Sequence, residues 1–279
     1  LYALGQKSLF AIDEARKEIS DFLNCKPEEI IFTASATESN NLAILGLIER
    51  IKKERKKIHI ITSKIEHDAV LSPVKKLEKQ GYSVTYLAVG KDGIIDLKDL
   101  KRAIVEDTVL VSVMYANNEI GTIQPIEEIG KIAKAKGVYF HTDAVQAVGS
   151  VEIDLENSDI DMLSLSAHKI YGPKGIGALY VREGTPIRPV VYGGGHERGL
   201  RSSTENVPSI VGVGMACELA HTYLDVDISL MNQMRDALIE GISDTIPQAV
   251  LNGHPTERLC NNVNMSFAGV EGEALILSL

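Results

Sequence analysis

Ser164-Leu165-Ser166-Ala167-His168-Lys169-Ile170-Tyr171-Gly172-Pro173-Lys174-Gly175-Ile176-Gly177 is the stretch on which the reading of this chain turns. Just before its end of strand lies Ile160-Asp161-Met162-Leu163-Ser164-Leu165, an apolar run with the length and composition of a buried strand. Ile176-Gly177-Ala178-Leu179-Tyr180-Val181 is a second such run on the far side. Between them come a hydroxyl, an imidazole and an amine, then Gly-Pro-Lys-Gly turn chemistry. A lysine just past a buried strand can be kept partly out of water, which lowers its pKa and makes the amine a nucleophile toward carbonyls. A solvated surface turn would use the same residues, so the weight of Lys169 depends on what the other segments bring to it.

Working upstream, the same strand–polar loop–helix grammar repeats. Glu29–Thr33 reads as a strand, followed by Ala34-Ser35-Ala36-Thr37-Glu38-Ser39 and a helix carrying Leu42, Ile44, Leu45 and Ile48. Ser35-x-x-Glu38 has the form of a capping box; the free N–H groups of that helix start and the Thr37 hydroxyl can also cradle an anion. Ile58–Ser63 is a strand followed by Glu66-His67-Asp68 and a helix to Gln80, and Ser83–Val89 is a further strand with a helix after it, Asp96–Glu106. Val109–Met114 runs into Tyr115-Ala116-Asn117-Asn118-Glu119-Ile120-Gly121, and Val138–His141 into Thr142-Asp143-Ala144-Val145-Gln146, with the helix Ile126–Lys136 between. A helix Leu9–Phe22 precedes the series. This alternation from about residue 29 to 165 predicts a mainly parallel α/β sheet covered by helices on both faces, in which ligands bind at the carboxyl ends of the strands. Thr37, His67, Asn118, Asp143 with Gln146, and Ser166 to Lys169 would then share one rim.

Downstream, Gly193 to Thr204 is a glycine-rich, basic, hydroxyl-bearing loop, either a flexible connection or a wrap around an anion. Helices are expected at Ile210–Tyr223 and Ile228–Ile246, then a core strand at Asn262–Phe267 and a helix from Glu271 to Leu279. The division that follows is a large α/β domain over 1–220 and the start of a smaller α+β domain over 221–279. The chain begins without Met and stops inside that last helix, so it reads as part of a longer, truncated protein.

Composition narrows the function. A net charge of −9 over 279 residues, with 5% aromatics and no Trp, argues against a nucleic-acid surface. No apolar run reaches the ~20 residues of a membrane helix. Three widely spaced cysteines, Cys25, Cys217 and Cys260, give neither a fully paired disulfide framework nor zinc spacing, which makes a reducing cytoplasm the default. Each reads as a packed thiol. His141-x-Asp143 with His67, His168 or His196 could be imagined as metal ligands, but no close pairing of the H-E-x-x-H kind is present, so no metal is expected. Gly172-Pro173-Lys174-Gly175 is not a Walker loop. A lysine amine, a carboxylate, an imidazole, hydroxyls and helix-start N–H donors on one rim suit pyridoxal phosphate: the amine for its aldehyde, a carboxylate for its ring nitrogen, a flat side chain for its face.

The ordered set Ala36-Thr37-Glu38-Ser39, Glu66-His67, Ala116-Asn117-Asn118-Glu119-Ile120-Gly121, His141-x-Asp143-Ala144-x-Gln146, Ser166-Ala167-His168-Lys169-x-Tyr171-Gly172-Pro173-Lys174-Gly175 and Gly193-Gly194-Gly195-His196-Glu197-Arg198-Gly199 resembles the cysteine desulfurases of the NifS/IscS type, within the class V aminotransferases. The resemblance implies a fold-type I pyridoxal-phosphate transferase that takes sulfur from L-cysteine, giving alanine and a protein persulfide. It implies Lys169 as the Schiff-base lysine and His67 as the ring-stacking residue and a second catalytic group. Asp143 would face the pyridine nitrogen and Gln146 the ring oxygen. Ala36, Thr37, Ser166 and His168 would hold the phosphate, and Asn118 would lie beside cofactor and substrate. Thr204 would reach the phosphate of the other subunit, implying a homodimer, and an iron–sulfur scaffold or another sulfur-acceptor protein is an implied partner. A selenocysteine lyase, a transaminating relative and a cofactor-binding docking module without turnover are the alternatives. Ser35 and Ser203 stand where the family has glycine, and a turn needing positive φ would be tightened there. The family's nucleophilic cysteine lies on a loop after the segment resembling Val270-Glu271-Gly272-Glu273, so the segment ending at Leu279 is expected to hold cofactor without catalytic sulfur release.

Overall fold

The computed structural model describes residues 2–278. Its centre is a seven-stranded sheet of β1 (Ile30–Thr33), β2 (His59–Ser63), β3 (Ser83–Leu87), β4 (Thr108–Ser112), β5 (Tyr139–Asp143), β6 (Met162–Ser166) and β7 (Gly177–Val181). The spatial order is β1-β7-β6-β5-β4-β2-β3. Strands β2 to β6 pair in parallel. β7 runs antiparallel to both β6 and β1, so β1 points the same way as β6, and every strand but β7 delivers the chain to one edge of the sheet.

The helices are α1 (Ala3–Leu23), α2 (Ala36–Ile51), α3 (Asp68–Lys79), α4 (Leu97–Ala103), α5 (Ile126–Ala135), α6 (Val207–Thr245) and α7 (Gly272–Ser278). Because side chains alternate across a strand, neighbouring residues go to opposite cores. Ile31, Ile60, Leu110, Met162 and Leu179 pack under α2 and α3. Ile30, Phe32, Ile61, Val111, Leu163, Leu165, Ala178 and Tyr180 pack on the other face with residues of α1, α4, α5 and α6. Burial on both faces explains why the strands read as continuous apolar runs, each buried Leu or Ile contributing about 1.5–3 kcal/mol relative to exposure. The contact of α1 with α6 depends on a glycine: a Cβ on Gly214 would lie 2.7 Å from the Cα of Ala15.

Three elements differ from the sequence expectation. The two helices expected between Ile210 and Ile246 are one rod, α6, whose Asn206 side chain accepts the Ser209 N–H at its start. The strand expected over Asn262–Phe267 shrinks to β9 (Met265–Phe267). It pairs antiparallel with an unanticipated β8 (Ala249–Leu251) outside the main sheet and is not a core strand. The closing helix is α7, and Leu279 lies outside the described residues. Among the described residues no helix is long and apolar enough to cross a membrane.

Candidate active site

The carboxyl ends of five strands converge on one cleft of about 200 Å³, lined by Ser35, Ala36, Thr37, His67, Ala69, Met114, Ala116, Asn118, Asp143, Val145, Gln146, Ser166, His168 and Lys169. Nine of the ten residues named from the sequence are therefore together. Thr204 is not among them. It is exposed and lines a separate cleft with Phe32, Glu197, Arg201 and Asn206.

Each wall of the cleft has a local cause. After β1 the chain turns into α2, where Ser35 is the N-cap and its Oγ accepts the Glu38 N–H at 3.2 Å. Glu38 reaches back to the Ala34 N–H, giving a variant of the anticipated capping box. The N–H groups of Ala36 and Thr37, in the first turn, have no intrahelical acceptor and bear the positive end of the helix dipole. Ser35 itself has φ −175°, ordinary extended backbone, and Ser203 is not among the residues with positive φ. The concern that a side chain at either position strains its turn is removed. The residue that does need to be glycine here is Gly177, which the motif reading passed over. A Cβ there would sit 2.7 Å from the Leu165 carbonyl oxygen and 3.0 Å from the Ala36 nitrogen, so β7 can run directly beneath the start of α2 only without a side chain.

After β2, His67 caps α3, its Nδ1 accepting the Ala69 N–H at 3.1 Å. After β6, a short 3-10 helix, Ala167–Ile170, carries His168 and Lys169, and the Ser166 hydroxyl lies 2.8 Å from His168 Nδ1. That helix ends at Tyr171 in the left-handed region, φ 62°. Lys169 is exposed on the cleft wall.

The cleft floor is electrostatically distinct. Asp143, at the end of β5, is buried; Asn40 of α2 donates to its Oδ2 at 2.7 Å and the Val145 N–H to its Oδ1 at 3.1 Å. Burial raises its pKa, while these two donors and the nearby His67 oppose the rise. Two residues earlier, His141 is wholly buried between the hydroxyls of Ser112 on β4 (2.8 Å) and Ser164 on β6 (3.1 Å). Desolvation pushes its pKa down to about 3, so it is a neutral cross-strand strut. Among the described residues no three His, Cys, Asp or Glu side chains form a group able to hold a metal ion.

Sequence reading missed the polar scaffold around these groups. Glu66 is buried directly beside His67, and Arg258, 3% exposed, donates to the carbonyls of Ile120, Asn252, His254 and Asn262. It ties the loop carrying Asn118 to the segment after β8. In the basic loop 193–204 two guanidinium groups bond within the chain: Arg198, itself exposed, donates to the Ile30 carbonyl at 2.7 Å and Arg201 pairs with Glu38 at 2.8 Å. None of the three thiols lines the cleft. Burial raises the pKa of all three, to about 12 for Cys25 and Cys217.

A doubly covered, mostly parallel sheet with a lysine, an imidazole, a buried aspartate and an open helix start at its strand ends describes a class of enzyme, and comparison with known proteins agrees. The chain belongs to the class-V aminotransferase family, whose pattern it matches over residues 1–279. It is 49% identical over 279 residues to the cysteine desulfurase IscS of Dictyoglomus turgidum, covering 100% of this chain and 70% of that protein. Among solved structures, a NifS-like protein superposes with a TM-score of 0.94 at 40% identity, over 98% of this chain and 74% of that one. A structure described as SspA in complex with cysteine gives 0.87, also at 40% identity, over 100% and 77% of the two chains. Cysteine desulfurases are pyridoxal-phosphate enzymes.

Proposed function

We propose that the cleft is the pyridoxal-phosphate and substrate site of a cysteine desulfurase, in which L-cysteine and an acceptor thiol give L-alanine and a persulfide. The observation that carries this is the convergence of Lys169, His67, Asp143 and the α2 start on one cleft. The donor set fits the cofactor. Ala36 and Thr37 offer unpaired N–H groups and a hydroxyl at the positive end of α2, Ser166 and His168 add two more polar groups, and Gly177 leaves the approach open. Asp143, with one carboxylate oxygen held by Asn40, would be the charge partner of the ring nitrogen; Gln146 would face the ring oxygen, and Asn118 the cofactor–substrate edge. When bound, pyridoxal phosphate supplies an electron sink for charge developing next to the amino-acid nitrogen.

The chain's own groups do the rest. Lys169 Nζ would hold the cofactor through its aldehyde and would be the base that moves protons at the substrate carbon. His67, hinged at the start of α3, covers one face and is a second proton carrier. The substrate's carbon–sulfur bond breaks, its sulfur joins the acceptor sulfur, and the carbon takes up a proton, so no external oxidant or reductant is needed. Since Cys217 and Cys260 are buried and Cys25 half-buried, all away from the cleft with raised pKa values, the acceptor thiol is a different one.

The reading extends to a homodimer in which Thr204, directed away from its own cleft, serves the partner's phosphate site. It also includes a cytoplasmic location, supply of sulfur to an iron–sulfur scaffold or comparable acceptor, and the division into 1–220 and 221–279, with α6 carrying the chain across. The test is incubation of the protein extended through the segment after Leu279, loaded with pyridoxal phosphate, with L-cysteine and a thiol acceptor. Equimolar alanine and persulfide sulfur are expected from it, and no catalytic sulfur release from the segment ending at Leu279. Pyruvate or keto-acid formation without persulfide would transfer the reading to a transaminating relative.

A further inference from the structure

Glu66 lies in the turn between β2 and α3, immediately before His67. Its side chain is buried, and one oxygen, Oε1, accepts both the Ser63 hydroxyl at 2.6 Å and the Met114 N–H at 2.9 Å. The other, Oε2, is sealed from solvent and has no hydrogen-bond partner. Ser63 ends β2, and Met114 follows β4 and lines the cleft. Glu66 is thus the tie between two adjacent strand ends, each leading to a cleft wall. An ionised carboxylate with one oxygen sealed in without a donor is expensive to bury. The protonated acid keeps both accepted bonds and carries no charge.

The surroundings point the same way. From β4 the group facing Glu66 is a backbone N–H, and from β2 a serine hydroxyl; neither is charged. From β5 it feels the negative charge of Asp143, and its chain neighbour is His67. Burial, reinforced by Asp143, moves the Glu66 pKa up to about 8, against the two hydrogen bonds that favour ionisation.

We propose that Glu66 is a positioning residue that acts as a neutral acid, clamping the His67 turn to the Met114 strand end. Its link to the cofactor rests on the reading of the cleft given above; its protonation state does not. Infrared difference spectra of the cofactor-free protein, wild type against Glu66→Gln, test the second part alone. At pH 7 a carboxylic-acid band belonging to Glu66 is expected, fading as the pH passes about 8. A carboxylate band at pH 7 would overturn the proposal whatever the cleft binds. The positioning role is read from pyridoxal-phosphate affinity across pH. Wild type is expected to bind more weakly as the pH rises past about 8; Glu66→Gln, which still accepts both bonds, should stay within about twofold of wild type at pH 7 and lack that alkaline weakening. Glu66→Ala strands two buried donors and should weaken binding by about tenfold or more. Equal damage in Gln and Ala, or identical alkaline profiles in Gln and wild type, would contradict it. If Ala does not fold, the Gln and wild-type profiles still decide.

Discussion

The cleft at the strand ends and the loop 193–204 both carry polar residues after apolar runs, yet they are built by different means. Each cleft residue stands on a segment whose position is fixed by a strand of the central sheet, as Asp143 is by β5 pairing with β4 and β6. The loop has no strand of its own. It is held by ion pairs and by bonds to the unpaired edge of β1: Arg16 meets Glu197 at 2.8 Å, Glu197 takes the Phe32 N–H, and Arg198 takes the Ile30 carbonyl. Glu197 and Arg198 both adopt positive φ, 47° and 57°, a strain of order 1–3 kcal/mol per residue that these contacts offset. A sheet places chemistry by covalent neighbourhood; a loop does so by partners more than 160 residues away in sequence, and fails differently when one is removed.

The difference can be pressed hardest from the sheet side with acid. His141 is neutral in the fold because its pKa is depressed to about 3, below the ordinary 6.5. Unfolded chains take up that proton first, so the contribution present above pH 6.5 is lost as pH falls toward 3. The linkage amounts to roughly 1.4 kcal/mol per pH unit, on the order of 5 kcal/mol in all. Urea midpoints of wild type and His141→Gln measured across this window should converge as the pH drops. On the loop side, Glu197→Ala removes the carboxylate paired with Arg16, which keeps the Ile30 carbonyl at 2.6 Å, and leaves the Phe32 N–H unbonded, in a site where the Arg16 and Glu197 side chains are 12% and 6% exposed. It is expected to lower stability by about 3–5 kcal/mol, read from chemical denaturation, with the cleft of the folded fraction intact.

Smaller effects separate the chemistry of the two regions. Asp143→Ala should keep cofactor binding measurable while cutting alanine formation by ~10 to 1,000-fold, the equivalent of ~1–3 units on the ring nitrogen's pKa. Single-turnover spectra with cysteine check this. Thr204→Ala should weaken cofactor binding by about tenfold at most, one hydrogen bond's worth, and only at concentrations where the protein is dimeric. A loss that persists in the monomer would put Thr204 in its own chain's cleft.

What was legible in the sequence follows the same division. Apolar runs ending in Thr33, Ser63, Met114, Asp143 and Ser166 told where strands end, and in a parallel sheet the ends share an edge; the cleft residues were therefore readable before any coordinates. The antiparallel insertion of β7 between β6 and β1 was not, because nothing local to Gly177–Val181 encodes its direction. Nor was the bonding of Arg198 and Arg201 within the chain, since their partners Ile30 and Glu38 lie more than 160 residues away. Nor was the continuity of α6 through residues 224–227, where two separate helices were expected to meet. The exposure of Lys169 belongs to the same class: adjacency to a buried strand does not bury the next turn.

The central claim is that Lys169, delivered by β6, is the amine that bonds the cofactor. Reducing the pyridoxal-phosphate-loaded protein with borohydride, digesting it and mapping the peptides tests that claim directly. The account predicts a single pyridoxyl label on Lys169, absent in Lys169→Ala and retained in Lys174→Ala; a label on Lys174 would contradict it.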